Sequence, residues 1–144
     1  MHSTPQHSSL EAASAELLVL QKQRALLIED QVAGQLLQQQ IRPATPWQAQ
    51  GIVFEHYIVP ALYLTGDSLD YFVLPDGRLF LYLADVSGSG TAAALISMLL
   101  KSIVQEYVFG HPASNVDADI TPAALLTYLN QRLLSYGSDR HITL

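Results

Sequence analysis

A chain of 144 residues that is 49% apolar and 14% charged has room for one globular domain with a core, and a net charge of −6 argues against nucleic acid as its main partner, since phosphate backbones need a basic face. With no cysteine there is neither a disulfide framework nor a thiolate for metal or nucleophilic chemistry. Apolar runs break off short of the about 18 residues of a membrane span and no signal-peptide pattern is seen, so the expectation is a soluble, cytoplasmic protein with no membrane partner.

Residues 1–8 are polar and read as a disordered or expression-derived tail in which neither His2 nor His7 is a ligand. Ser8-Ser9-Leu10-Glu11 matches a capping box, so a helix is expected to start there and to run, weakened only by Gly34, until Pro43 stops it. Residues 9–42 would then form an unusually long helix. Leu18, Ala25, Val32 and Gln39 recur at heptad spacing, while Ala15, Lys22, Glu29 and Leu36 make a poor second seam. One reading is a linker or coiled-coil helix that makes a homodimer and joins an upstream sensor; the other is an amphipathic helix lying on its own core.

Pro43, Pro46 and Gly51 mark a linker that holds Trp47 and opens the domain proper, residues 43–144. Ile52 to Val59 alternates loosely and is expected as a strand, with His56 facing a neighbouring strand rather than binding metal. Two further strands follow, joined by Pro75-Asp76-Gly77, a three-residue hairpin loop with proline preset for a type I turn and glycine for the left-handed position. If Leu74 faces Arg78, Val73 pairs with Leu79, Tyr71 with Leu81, Leu69 with Leu83, and Asp67 with Asp85. Two carboxylates across a ladder repel each other unless a cation sits between them. Carboxylates with a backbone carbonyl make a hard-oxygen site suited to magnesium, manganese or calcium. The plain alternative is two unrelated aspartates on a solvated rim.

After Asp85, Val86-Ser-Gly88-Ser-Gly90 leads into a helix over residues 91–108, apolar almost all round and so expected between layers from Ala92 to Leu100. Residues 110–120 read as a polar loop with His111 at its surface. Thr121-Pro122 then caps a helix that runs to about Ser135 and is stopped by Gly137, and Ile142-Thr143-Leu144 begins another strand. The glycine loop matches the dinucleotide form G-x-G-x-x-A only weakly, because the preceding strand belongs to a hairpin and ends in an acid. It lacks the lysine of a P-loop and the spacing of a nucleophile elbow. Small residues here suit a sharp bend beside a bound ion, with the Val86 carbonyl able to contribute an oxygen.

Thr65-Gly66-Asp67-Ser68-Leu69-Asp70, followed by LPDGRLFLYLADVSGSG and AAAL, resembles the bacterial metal-dependent serine/threonine phosphatases of the stage II sporulation protein E type, in the protein phosphatase 2C (PPM) superfamily. The glutamine-rich helix ending in proline and TPAALLTYLNQRL are similar as well. The resemblance implies an α+β fold: the N-terminal part of an α-β-β-α sandwich, its antiparallel sheet carrying two helices on one face, after a long helix. It implies two Mn2+ or Mg2+ ions in a complete domain, with Asp67 and Asp85 as ligands, the Val86 carbonyl as a third donor, and Asp70, Gly66 and Gly88 in secondary roles. Thr65 stands where a second glycine is common, Ser68-Leu69 where an aromatic pair is, and Ser89 where His or Lys is frequent. Further metal aspartates of the family lie C-terminal to Leu144, so this stretch by itself is expected to be inactive. By analogy the whole is the output domain of a response regulator in a two-component or sigma-factor pathway, acting on a phosphorylated anti-sigma-factor antagonist. The rivals are a degenerate phosphatase-like adaptor that binds a protein partner, and a nucleotide-binding module.

Overall fold

The structure, a computed structural model, describes residues 5–110, 120–137 and 139–144, with side chains described from residue 9 onward. Its elements run α1 (Pro5–Gln40), β1 (Trp47–Ala49), β2 (Ile52–Phe54), β3 (Ser68–Val73), β4 (Leu79–Val86), α2 (Gly90–Phe109), α3 (Pro122–Ser135) and β5 (Ile142–Thr143). The α+β architecture implied by the resemblance is the one found. His2 and His111 lie outside the described residues.

The Pro75-Asp76-Gly77 turn closes as its chemistry dictates. Leu74 N donates to the Arg78 carbonyl at 2.8 Å and Gly77 N to the Leu74 carbonyl at 2.9 Å. Gly77 sits at φ +86°, open to glycine at little cost. Asp76 accepts from Arg78 N at 2.9 Å and from Arg78 Nε at 2.7 Å, and these bonds hold its carboxyl below the usual range. The register that follows is the expected one at every pair from Val73↔Leu79 to Ser68↔Ala84. On the other side of β4, β5 pairs antiparallel through Asp85↔Thr143 and Val86↔Ile142.

The face of this sheet that carries Phe72, Phe80, Tyr82 and Ala84 is the one that meets the helices. Leu100, Ile103, Val104 and Val108 of α2 and Leu125 and Leu129 of α3 pack against Leu74, Tyr82 and Ala84 in one cluster. Full burial of aliphatic side chains such as Leu100 and Ile103 stabilises by about 1.5–3 kcal/mol each. The opposite, aliphatic face is largely open, with Leu81 59% and Leu83 65% exposed. Tyr71 on this face is covered: Trp47 and Phe54, cross-strand partners in a small hairpin, set their rings 5.1 and 5.5 Å from that of Tyr71.

Several expectations need correction. The stretch read as linker contains β1, because Gln50 and Gly51 at φ 51° and 78° form the tight turn of a hairpin with β2. The strand expected over residues 52–59 ends at Phe54, and His56 N turns aside to bond Thr45 Oγ1 at 3.2 Å. The long helix begins at Pro5, so it takes in residues 5–8 of the expected tail; proline suits a first turn because its missing N–H would be unpaired anyway. In α2 a single face is buried, through Ala93, Ala94, Ser97, Leu100 and onward, while Ala92 and Leu95 are exposed. By length and composition α2 is also long and apolar enough to cross a membrane, although Lys101, Gln105 and Glu106 interrupt it and one face lies in the core. In α3 the expectation holds: Thr121 Oγ1 accepts from Ala124 N at 3.2 Å, and Gly137 takes φ +69° past the end.

Residues 9–27 of α1 are exposed throughout, whereas its last turns dock on the domain. Gln31 Nε2 donates to Thr91 Oγ1 at 2.9 Å, and Gly34 lies close enough to Leu64 that a Cβ would meet its Cδ2 at 3.3 Å. Gln38, only 4% exposed, is clamped to Thr65 from both sides: its Nε2 donates to the Thr65 carbonyl at 2.7 Å, and Thr65 N donates to its Oε1 at 3.2 Å.

Candidate metal centre

The assigned β3–β4 ladder ends at Ser68↔Ala84, one step short of the two aspartates. One step beyond them the strands are still in contact. A Cβ placed on Gly66 would come within 2.6 Å of the Val86 carbonyl oxygen, 3.2 Å of the Ala93 Cβ and 3.3 Å of the Val86 Cβ. Asp67 and Asp85 therefore lie between two apposed pairs of positions, on the same face of the sheet, and both are exposed. Neither carboxylate makes a hydrogen bond or ion pair among the described residues. Gly66 is what admits the Val86 backbone to this corner, where the start of β3, the end of β4 and the start of α2 converge. Substituting Gly66→Ala is expected to destabilise by about 1–3 kcal/mol, since backbone must shift, and to weaken Mn2+ binding in parallel. Chemical denaturation and a metal titration of the variant check both.

Two carboxylates and an adjacent main-chain oxygen fit a hard divalent ion that keeps several waters, and do not fit a soft one. They make an incomplete set. Among the described residues no three His, Asp or Glu side chains come together. Asp70 is placed elsewhere: it lies on the helix-facing side of β3, 5% exposed, where it accepts from Lys101 Nζ at 2.6 Å, from Gln105 Nε2 at 3.4 Å and from Tyr71 N at 3.0 Å. Period-two alternation separates it from Asp67. Beside it, burial pushes the Tyr82 phenol up to about 12, with the Asp70 charge adding to the rise and a 3.3 Å bond to Ser68 Oγ opposing it.

Gly88 takes φ +90° against the Arg140 side chain, whose Nη1 donates to the Ser87 carbonyl at 2.6 Å. His141 N bonds Ser87 Oγ at 3.1 Å and Ser87 N bonds the His141 carbonyl at 2.9 Å. The glycine loop is thus braced by the two residues that lead into β5. His56 sits beside β3, its Nδ1 3.1 Å from the Tyr71 hydroxyl. Since that hydroxyl donates to the Ala44 carbonyl, His56 Nδ1 carries the proton and donates to it.

Two residues near Asp67 were not singled out from sequence. Gln38 holds the backbone two positions before it, and Arg42 lines the same cleft as Asp67, Ser68, Ser97 and Lys101. Burial pulls the Arg42 guanidinium below its ordinary value, and the Asp67 charge partly restores it. In a run of four glutamines interrupted by two leucines, nothing local distinguishes the one that is buried.

Comparison with known proteins gives a family match but no curated relative: no curated protein matches the chain. The family model for Stage II sporulation protein E (SpoIIE) matches residues 75–144, which include the hairpin turn, Asp85, Val86 and the glycine loop, while Asp67 and β3 lie just before it. The match spans 70 of the 144 residues and is what a fragment of a SpoIIE-type PPM phosphatase domain would give.

Proposed function

We propose that the domain is a metal-dependent phosphoserine/phosphothreonine protein phosphatase, with Asp67, Asp85 and the Val86 carbonyl holding Mn2+ or Mg2+. The observation that carries this reading is the placing of Asp67 and Asp85 between the Ser68↔Ala84 pair and the Gly66–Val86 contact. A bound ion of this kind supplies a water of lowered pKa and neutralises charge on a phosphoryl group. The chain's part is to hold the two carboxylates on one face, to bring a carbonyl beside them through Gly66, and to brace the following loop through Arg140. The test is Mn2+-dependent hydrolysis of a phosphoserine peptide by the full-length protein, abolished by Asp67→Asn or Asp85→Asn.

With two acidic ligands in the described residues, a tight pair of ions needs carboxylates from outside them, and this stretch alone is expected to be inactive. The substrate we favour is a phosphorylated regulator of the anti-sigma-factor antagonist type, with the domain as cytoplasmic output of a response regulator. A second reading is a phosphatase-like adaptor, favoured by Asp70 being committed to Lys101 rather than to the ladder end. Partner binding without turnover in any divalent metal would select it.

We propose further that α1 pairs with a second copy of the chain. Leu10, Leu17, Leu18, Leu20 and Leu27 are all more than half exposed on a helix that the domain touches only at its end. Burying one leucine in such a pair is worth about 1.5–3 kcal/mol. Leu18→Glu is therefore expected to weaken the dimer at least about tenfold, read as a fall in mass by light scattering, and an unchanged mass would contradict the pairing.

A further inference from the structure

We infer that Arg42 is the oxyanion-binding residue of this site, its guanidinium positioned to hold the phosphoryl group of a phosphomonoester, or free phosphate, beside Asp67. The inference rests on the metal-dependent phosphatase reading. Its position is set by the helix it follows, α1, which ends two residues before it. Gln38 grips both backbone polar groups of Thr65. Arg42 follows Gln38 by one turn, on the same side of the helix end, and Asp67 follows Thr65 by two residues. The two segments run together, so the clamp at Gln38–Thr65 sets Arg42 and Asp67 in one cleft. The chain then turns away at Pro43, after Ile41 N and Arg42 N make their last bonds to the Leu37 and Gln39 carbonyls at 3.3 Å.

Two cations line that cleft, and only one is already engaged. Lys101 is held by Asp70 at 2.6 Å. Arg42 makes no ion pair and no side-chain hydrogen bond among the described residues, although it is half-buried and its charge couples to that of Asp67. A chain with seven Lys and Arg against 13 Asp and Glu has no general excess of positive charge to explain such a cation. A half-buried guanidinium that keeps its fork unpaired is matched by a planar or tetrahedral oxyanion, which it binds through two parallel N–H bonds. Between Arg42 and an ion held by Asp67, a phosphoryl group would meet positive charge on both sides.

The test is calorimetric titration of the full-length protein with inorganic phosphate, with and without Mn2+, comparing wild type, Arg42→Gln and Arg42→Lys. Mn2+ affinity is measured in the same proteins, along with KM and kcat for p-nitrophenyl phosphate. Arg42→Gln is expected to weaken phosphate at least about tenfold and Arg42→Lys less, with Mn2+ affinity held within about threefold. A matching rise in KM identifies the phosphomonoester as the ligand, and a loss confined to free phosphate identifies the product. Wild-type protein that binds no phosphate, or Arg42→Gln that binds it as well as wild type, overturns the inference. So does a loss of phosphate binding that merely follows an equal loss of Mn2+ affinity, which makes Arg42 a counter-charge for Asp67. Phosphate held through Arg42 in a protein that hydrolyses no phosphomonoester in any divalent metal leaves this inference standing and removes the phosphatase reading.

Discussion

In metal-free buffer, Asp85→Asn or Asp67→Asn is expected to leave the domain as stable as wild type or slightly more so, and in saturating Mn2+ the order reverses. The sign comes from the register. Like charges facing each other across a ladder cost about 0.2–1 kcal/mol, and an amide in place of one carboxylate removes that cost. A divalent ion bound to the folded state alone stabilises by mass action, about 2.7 kcal/mol at a hundredfold excess over its dissociation constant, and a variant that has lost a ligand forgoes most of it. Thermal unfolding with and without Mn2+ gives the crossing directly. Hydrolysis by the full-length protein should fall in the same variants by about a hundredfold or more, corresponding to about 2.7 kcal/mol of lost transition-state stabilisation. Variants that are destabilised without metal, or that keep their Mn2+ response, would mean that the two side chains do not share an ion.

The largest loss of stability is expected at the other aspartate. Asp70 and Lys101 are 7% and 13% exposed at the side chain, so their 2.6 Å contact is shielded from solvent, unlike the open Arg78–Asp76 and Arg132–Glu106 pairs. Removing one partner of a buried pair strands the other, at a cost of about 3–5 kcal/mol. Lys101→Ala leaves Asp70 with only the Gln105 amide at 3.4 Å and the Tyr71 N–H at 3.0 Å. We expect about 3 kcal/mol in urea unfolding, toward the lower end because Lys101 retains some exposure. The double change Asp70→Leu with Lys101→Met should recover most of that loss, because apolar side chains of similar length can replace a buried pair at little cost. A single-variant loss below about 1 kcal/mol would class the pair with solvated surface bridges.

The parts of the fold that could be read from sequence are those set by neighbours in the chain. Pro75-Asp76-Gly77 specifies its own turn, and the turn specifies the register out to Ser68↔Ala84; Thr121-Pro122 and Gly137 bound α3 by the same local logic. What could not be read depends on where distant segments return. Both faces of the β3–β4 hairpin are apolar enough to be core, one with Leu81 and Leu83 and the other with Phe72 and Phe80, and only the path of α2 decides that the second is buried. The β1–β2 hairpin was missed because Gln50 gives no hint of its positive φ and Gly51 alone marks the turn. At the candidate site, the acids at the ladder end follow from counting residues, whereas Gln38 of α1 and Arg42 just past its end lie more than 20 positions earlier in the chain and reach the site only through tertiary packing.

The most direct measurement is paramagnetic broadening of backbone amide resonances as Mn2+ is added to the folded protein. If the hairpin holds an ion between Asp67 and Asp85, the amides of Gly66 to Ser68 and of Ala84 to Ser87 should broaden first and together, and Asp85→Asn should abolish the effect at both. Broadening that begins at other acidic residues, or that reaches only one of these two segments, would contradict the account.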